Sequence, residues 1–452
     1  MLRVSTTRSR LTVPRWLTAD WPLVAAASSL TIAGLLLVCG LYGMVLTTVT
    51  TGDPGAAIEG LIAGFYFAFA ALGASVRLVV LSGDADVAIS LSSVPLGLTL
   101  VAAGVVWFAL KTACDRLQSP PASLKALAVK VVAVTTLIFT VLASLLSLTD
   151  PDGIVVADVD ARRTLVGSVL VLGTTAFAFV ARRGTITLPP WVIRSGLDRV
   201  ARALRTGVVA FLGLAAVAGS WTIVGAIVAG DSGAERLRLV LGLPVVGINL
   251  MLTSGVAALG TTVAFGVAQV SDVFGAGFGG AATGTMSLFR YGFPPGASTG
   301  SAPFLVLVAF LLLGPGLLAG AIARQLRDEP PQAAVVGTWL LLAGVGFVST
   351  AAVAGLLGRI ELFADARGLG GGTNFVVIRP DLVTTLGYAA LWSVLGSLGG
   401  WWTWFVLRAR GRDAAQPEET GPLPSDGAVR PPLDVPLPVP PAPVPARELV
   451  EA

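Results

Sequence analysis

Long apolar stretches separated by short polar segments dominate the pattern along this chain. Eight of them are long enough to cross a membrane, because about 20 helical residues span a hydrocarbon core of about 30 Å. The pattern therefore predicts an all-α, multi-spanning membrane protein. The predicted spans are Pro22–Thr48, Val94–Leu110, Val131–Leu148, Thr164–Val180, Gly207–Gly230, Pro303–Ala323, Ala333–Gly358 and Leu382–Leu407.

Two further apolar segments, Ile58–Leu81 and Leu239–Ala268, are less regular. The first carries Glu59 and Arg77 near its ends, and the second is interrupted by Pro244 and several glycines. Each segment either crosses the membrane fully or enters and leaves on one side. The distribution of basic residues favours the second arrangement, with both segments as embedded, re-entrant helical hairpins.

Arginine and lysine concentrate in segments that this arrangement places in the cytoplasm. If both irregular segments crossed fully, the two most basic loops, around Lys125 and Arg199, would lie outside. Short loops with that many cations resist translocation. The charges therefore predict about eight full spans in a bacterial plasma membrane, with the N-terminus and the C-terminus in the cytoplasm.

The order of segments repeats along the chain. Residues 22–183 and 207–412 each run span, embedded segment, outer loop, span, basic inner turn, span, outer loop, span. We interpret this as two pseudo-repeats; convergence of low-complexity apolar sequence is the alternative. Four outer segments are rich in β-branched and aromatic residues and predict short extracytoplasmic β segments, at Asp86–Ser93, Gly153–Asp158, Gly284–Gly292 and Asn374–Arg379.

Residues 184–206 link the two halves. Within them, Trp191–Thr206 separates apolar from charged positions at helical spacing, with Arg194, Asp198 and Arg202 spaced for i,i+4 ion pairs. This pattern predicts an amphipathic helix on the inner leaflet. A helix that docks a protein partner is the alternative.

The two ends of the chain lie outside the halves. Residues 1–21 form a basic cytoplasmic N-terminus, and residues 413–452 form a proline-rich tail. Such a tail favours polyproline II, has too little apolar surface to build a core, and is expected to be disordered.

Composition agrees with a membrane protein. Hydrophobic residues make up 54% of the chain, charged residues 12%, and the mean hydropathy is +0.83, whereas a soluble domain has about 25% charged residues. A pI near 9.4 would suggest nucleic acid in a soluble protein. Here the basic residues lie beside apolar runs, where they fix orientation. We therefore expect membrane lipids as partners, and no nucleic acid.

No motif for catalysis, a cofactor or a metal survives inspection. Histidine is absent, which removes His-based acid–base chemistry and His-containing zinc sites. The two cysteines, Cys39 and Cys114, are too few for a four-cysteine site. Residues 275–280 spell GxGxxG but lack the preceding strand and following helix of a dinucleotide site. The acidic loop at 150–160 lacks the EF-hand pattern. We expect neither an enzyme nor a bound cofactor or metal.

Four residues of the irregular segments are candidate substrate or pathway residues: Glu59, Arg77, Pro244 and Asn249. Broken hydrophobic segments at corresponding positions of two halves point to a substrate site. An ionisable group at the centre of a membrane helix costs about 2.5–3.5 kcal/mol on insertion scales, so it is retained mainly for function. Snorkelling of Glu59 and Arg77 to the surface is the alternative.

The octapeptide Ser93–Leu100 (SVPLGLTL), the glycine-rich loop at 274–300 and the layout of the spans resemble the streptophobe-type multi-pass membrane proteins of actinobacteria. They also resemble a related actinobacterial group linked by name to cell division. The resemblance covers most of Pro22–Arg412 in the layout of the spans, and only one octapeptide in amino-acid sequence. It implies a membrane location and no particular activity.

Two functions remain open. The first is a permease-like or lipid-handling protein with a site between the two halves. The second is a non-catalytic scaffold for envelope assembly or division, which would bind partner proteins through its outer loops and its C-terminal tail.

Overall fold

The structure is a computed structural model. It describes residues 20–51, 54–82, 85–91, 94–116, 122–146, 148–149, 155–183, 197–229, 232–269, 280–286, 302–327, 329, 332–367 and 372–414. Ten α-helices and eight β-strands lie in these residues. The predicted N-terminal segment, apart from its last two residues, and the predicted disordered tail from residue 415 lie outside them.

The first half of the chain contains five helices and two strand pairs. A short 3₁₀ turn, Pro54–Ala56, joins the first two helices. In chain order the elements are α1 (Trp21–Thr51), α2 (Ala57–Ala71), β1 (Val76–Ser82), β2 (Ala85–Leu91), α3 (Leu96–Arg116), α4 (Ala122–Leu145), β3 (Leu148–Thr149), β4 (Val155–Val159) and α5 (Ala161–Arg182).

The second half contains the same kinds of element in the same order. They are α6 (Leu197–Ala229), α7 (Gly233–Ala258), β5 (Val263–Gln269), β6 (Gly280–Met286), α8 (Ala302–Leu326), α9 (Ala333–Leu357), β7 (Ile360–Arg367), β8 (Gly372–Pro380) and α10 (Leu382–Ala414). Among the described residues, residues 407–414 belong to a unit separate from the residues up to Val406.

Nine helices in the described residues are long and apolar enough to cross a membrane. Eight coincide with the predicted spans, and the ninth is Leu239–Ala258 within α7. The prediction of a multi-spanning membrane protein is therefore confirmed. Helix α2 is equally apolar but has only 15 residues, about 22 Å of helix at 1.5 Å per residue, which is shorter than the hydrocarbon core.

The two irregular segments are not helical hairpins, whereas their predicted entry and exit on one side of the membrane stays a prediction. Ile58–Leu81 is the single helix α2 followed by strand β1, and Leu239–Ala268 is most of α7 followed by β5. The helices end at Ala71 and Ala258, and two residues further on stand Gly73 and Gly260, whose φ angles of +86° and +95° favour glycine. Hydropathy alone does not separate a buried strand from a continuing helix, so the helix-to-strand turn was missed.

The two helix-to-strand turns share sequence and hydrogen bonds. Residues 69–76 read FAALGASV and residues 256–263 read VAALGTTV. The Gly73 amide donates to the Ala70 carbonyl at 2.8 Å, as the Gly260 amide does to that of Ala257. Each turn thus takes the chain from an embedded helix straight into a strand.

The eight strands form one antiparallel sheet in the order β3-β4-β1-β2-β7-β8-β5-β6. Strand β4 pairs with β1 in the first half, and β8 pairs with β5 in the second. Strand β2 pairs with β7 across the halves, from Leu91 opposite Leu362 to Asp86 opposite Arg367. The sheet therefore joins the two halves.

The described residues of the predicted outer β segments fall on strands β2, β4, β6 and β8, while residues 92–93, 153–154 and 287–292 lie outside the described part of the chain. Strands β1, β3, β5 and β7 were not predicted. Two of these, β1 and β5, lie in the segments that had been assigned to helical hairpins.

Each half has its own apolar core. One cluster of buried side chains comes from α1 to α5 with their strands, and the other comes from α6 to α10 with theirs. Val245 of α7 is an exception, because it packs against the core of the first half. Helix α7 therefore crosses the seam between the halves.

The linker differs from its prediction. Residues 197–206 are the first turns of α6 and continue into its span, so they are not a separate interfacial helix. The predicted ion pair between Asp198 and Arg202 is confirmed, at 3.2 Å. Residues 184–196, including Trp191 and Arg194, lie outside the described residues.

Candidate functional site

Asn249 lies on α7 at the seam between the halves and is only 2% exposed. Its Nδ2 group donates to the carbonyls of Val94 and Leu357, both at 2.9 Å. Its Oδ1 accepts from the backbone amide of Leu96 at 3.0 Å. One side chain therefore binds the first half at the start of α3 and the second half at the end of α9.

These contacts give Asn249 a structural role. The first amides and the last carbonyls of a helix have no partner within it, and Asn249 satisfies one such amide and one such carbonyl. Thr253, one turn further along α7, donates to the Gly358 carbonyl at 2.7 Å. Both side chains are hydrogen-bonded to backbone groups, so Asn249 links the two halves.

Pro244 also lies at the seam, inside α7. A proline removes one helical hydrogen bond and disturbs the preceding turn. In that turn the Tyr42 hydroxyl of α1 donates to the Leu241 carbonyl at 2.6 Å. The Pro244 carbonyl packs so closely on Gly97 of α3 that a Cβ at Gly97 would collide with it. The seam is close-packed at this point.

Glu59 and Arg77 are both exposed. Glu59 lies in the first turn of α2, whereas Arg77 lies beyond the other end of that helix, in β1. Arg77 stands opposite Asp158 in the register of β1 with β4, as expected for a solvated pair on a sheet. The structure therefore does not gather Glu59, Arg77, Pro244 and Asn249 into one polar site.

A groove with a volume of about 840 Å³ lies between α4 and α5. It extends from Lys125 to Leu137 along α4, about 18 Å at 1.5 Å per residue. One leaflet of a bilayer, half of a core of about 30 Å, is about 15 Å deep. The groove is lined by Lys125, Ala128, Val129, Val132, Ala133, Thr136, Leu137, Leu165, Val169, Gly173, Ala176, Phe177 and Val180.

Small residues create this groove. A Cβ added to Gly173 would meet nothing within 4 Å, and Ala128 and Ala176 are buried at its floor. Thr136 is 4% exposed and its hydroxyl has no hydrogen-bond partner in the described structure. Lys125 is the only charged residue of the lining, and it is exposed at one end.

Lys130 is a buried cation in α4. It is the ninth residue of α4, is 7% exposed, and its ammonium lies 5.2 Å from the ring centre of Trp21. A cation over an aromatic face is attracted by the ring quadrupole. Its position directly before an apolar run was the available signal, but that position is equally typical of an interfacial lysine.

A second, smaller cavity of about 230 Å³ lies between α6 and α9. Arg199 and Trp339 line it, and the Trp339 Nε1 group is buried without a hydrogen-bond partner in the described structure. Glu329 approaches Arg199 at 3.9 Å. This cavity is too small for a lipid chain of the length that the α4–α5 groove fits.

A scan against protein-family models, a search of curated proteins and a search of solved structures each found no match to this chain. The resemblance to the streptophobe-type membrane proteins therefore stays a prediction, and the site has to be interpreted from its own chemistry.

Proposed function

We propose that this protein is a lipid-handling membrane protein that takes single lipid molecules from the bilayer into the α4–α5 groove. The groove carries the proposal, because it is long enough for an acyl chain and its walls are almost entirely apolar. A permease for polar solutes is supported less well. Such a protein needs unpaired polar groups along a path, and the polar side chain at the seam, Asn249, is bound to backbone.

Two repeats of one fold are part of this proposal. The support is the shared element order and a set of matching contacts. The Asp160 amide donates to the Ser75 carbonyl at 3.1 Å, and the Asp381 amide donates to that of Thr262 at 2.9 Å. Repeats in the same orientation would be related by an axis along the membrane normal.

The proposal also includes an orientation. Helix ends remote from the sheet carry Arg116, Lys125 and Arg182, and short basic segments favour the cytoplasm. Trp21 and Trp401 are exposed near the same ends, as expected for an aromatic belt at a membrane interface. This supports a bacterial plasma-membrane location with the sheet outside and both termini inside.

The test is photocrosslinking of the full chain in phosphatidylcholine vesicles that contain a lipid with a diazirine in its acyl chain. We expect adducts on α4 and α5 and a severalfold loss of adduct in Gly173→Leu, which places a larger side chain in the groove at a position where a Cβ meets nothing within 4 Å. Gly104→Leu in α3 is the matched control, because a Cβ there also meets nothing within 4 Å.

Transbilayer movement of a fluorescent lipid in the same vesicles distinguishes a protein that only binds lipid from one that also carries lipid across the bilayer. Adducts spread evenly over all helices, together with no lipid movement above that of empty vesicles, would overturn the proposal.

A scaffold for the cell envelope is the second candidate. The observation that favours it is the continuous sheet across both halves, with β3 and β6 as its terminal strands in the described residues. Terminal strands are templates for pairing with another chain. A scaffold would keep its partners in Gly173→Leu and lose them when the sheet or the tail is removed, which is the opposite of the lipid-handling expectation.

A further inference from the structure

We infer that the α4–α5 groove selects an anionic lipid, with the headgroup held at Lys125 and the acyl chain running toward Leu137. This inference rests on the proposed function, since it names the class of lipid that the groove takes.

The end of the groove at Lys125 is positively charged for two reasons. Lys125 lies in the first turn of α4, which begins at Ala122, so its ammonium adds to the positive end of the helix dipole. The lysine is exposed and, among the described residues, forms no ion pair. An anionic headgroup would therefore contact Lys125 without displacing an ion-pair partner among the described residues.

The neighbouring charged side chains at this end are already engaged. Arg183 pairs with Asp115 at 3.4 Å, and Arg182 lies 5.8 Å from the ring centre of Trp107. The pairing of Asp115 with Arg183 leaves Lys125 as the charge that lines the groove. Headgroup selection should accordingly depend on this one residue.

The polar groups of the lining also set the direction of the ligand. Lys125 and Thr136 are its two polar side chains, separated by about 16 Å along α4. Thr136 is buried, so a charged headgroup near it would lose its hydration, which is costly without a partner charge. The headgroup therefore belongs at Lys125, and the remaining apolar floor matches a hydrocarbon chain.

The test measures retained lipid by native mass spectrometry of the full chain, after equilibration with phosphatidylglycerol and phosphatidylcholine of identical chains. We expect phosphatidylglycerol to be retained about fivefold better at low salt, as one basic group near an anionic lipid provides, and the preference to shrink at high salt. Lys125→Gln should remove the preference and keep phosphatidylcholine binding. Lys111→Gln is the matched control, an exposed lysine on α3 outside the lining, and should keep the preference.

The outcomes separate the two claims. Equal retention of both lipids, or a preference that persists in Lys125→Gln, overturns the headgroup inference and leaves lipid handling standing. No retained lipid in the wild-type chain overturns both claims. A dimer in detergent that Gly173→Leu dissociates also overturns both, because a second copy of the chain would then occupy the groove.

Discussion

The helical hairpins α1–α2 and α6–α7 begin the two halves and end alike, with a left-handed glycine that leads into a strand. Their interiors differ. In the first hairpin glycines face glycines, and a Cβ at Gly43 or Gly64 would collide with backbone of the partner helix. In the second, Gly219 of α6 faces the larger Met251 of α7, and the Ser254 hydroxyl donates to Thr222 at 3.0 Å.

The glycine turn is common to the two hairpins, whereas the side chains between their helices differ. The turn is common to both halves, because a helix that enters a strand directly needs a residue that tolerates positive φ. The packing below the turn is free to vary. Both hairpins bring two backbones close together, and the second also carries polar groups, one of which, Asn249, ties the halves to each other.

The largest expected effect comes from Asn249→Leu. The substitution leaves the Leu96 amide and the Val94 and Leu357 carbonyls without this partner, and each buried unsatisfied group costs about 1–3 kcal/mol. We expect a loss of about 3 kcal/mol or more in the free energy of unfolding, measured by denaturant titration in mixed micelles.

Counted back from the turn glycine, the corresponding residue of the first half is Ile62, which is 50% exposed and binds no backbone. Ile62→Asn is therefore the control, and it should cost far less. Wild-type stability for Asn249→Leu would show that the hydrogen bonds of Asn249 do not hold the halves together.

The backbone that Asn249 binds explains why its role was missed. Asn249 stood out as a polar residue in an apolar run, so its position could be predicted. Its partners lie at residues 94, 96 and 357, and only the tertiary structure brings those groups to α7. A polar residue in a span predicts that a partner exists, but not whether the partner is substrate or backbone.

The second prediction compares Gly60 with Gly247, which occupy the same place relative to the turn. A Cβ at Gly60 would lie 2.7 Å from the Gly43 carbonyl oxygen and 2.8 Å from the Met44 Cα. We expect Gly60→Ala to cost about 1–3 kcal/mol, because the two helices would have to separate. Thermal unfolding of the purified protein measures this.

Gly247→Ala is the matched variant, since a Cβ there meets only Leu243 of its own helix, at 3.4 Å. Alanine is a better helix former than glycine by up to about 1 kcal/mol, so this change should be neutral or stabilising. Equal losses for the two variants would mean that Gly247 is packed as tightly as Gly60, and the comparison would fail.

Hydropathy predicted the eight long spans because apolar length is a local property. It did not predict the α4–α5 groove. Gly173, Ala128 and Ala176 are common membrane residues, and nothing local distinguishes a small side chain that packs closely from one that leaves space. At the places that correspond to Thr136 and Gly173, counted from the start of α9 and from Asp381, the second half has Phe347, which is fully buried, and Val394. The groove is thus a property of the first half that only its packing reveals.

The smallest expected effect concerns a feature that both halves keep. Asp160 caps α5, accepting from the amides of Arg162 and Arg163 at 2.9 and 3.1 Å. Asp381 caps α10 in the same way, accepting from the amide of Thr384 at 3.1 Å. Replacing a capping residue with alanine costs about 0.5–2 kcal/mol, and both carboxylates lie near solvent, so we expect Asp381→Ala to fall at the lower end of that range at pH 7.

Lowering the pH should remove part of the free energy of unfolding that the Asp381 carboxylate contributes. Hydrogen bonds from Thr384 hold the pKa of Asp381 below its ordinary value of 3.8, so the folded state favours the carboxylate. The stabilisation is therefore complete above that ordinary value and is lost as pH falls through the lower pKa of the folded state. Unfolding measured from pH 7 to pH 3 should show the stability gap between wild type and Asp381→Asn narrowing toward the acid end. A stability gap between wild type and Asp381→Asn that widens on acidification would mean that the charge of Asp381 does not stabilise the start of α10.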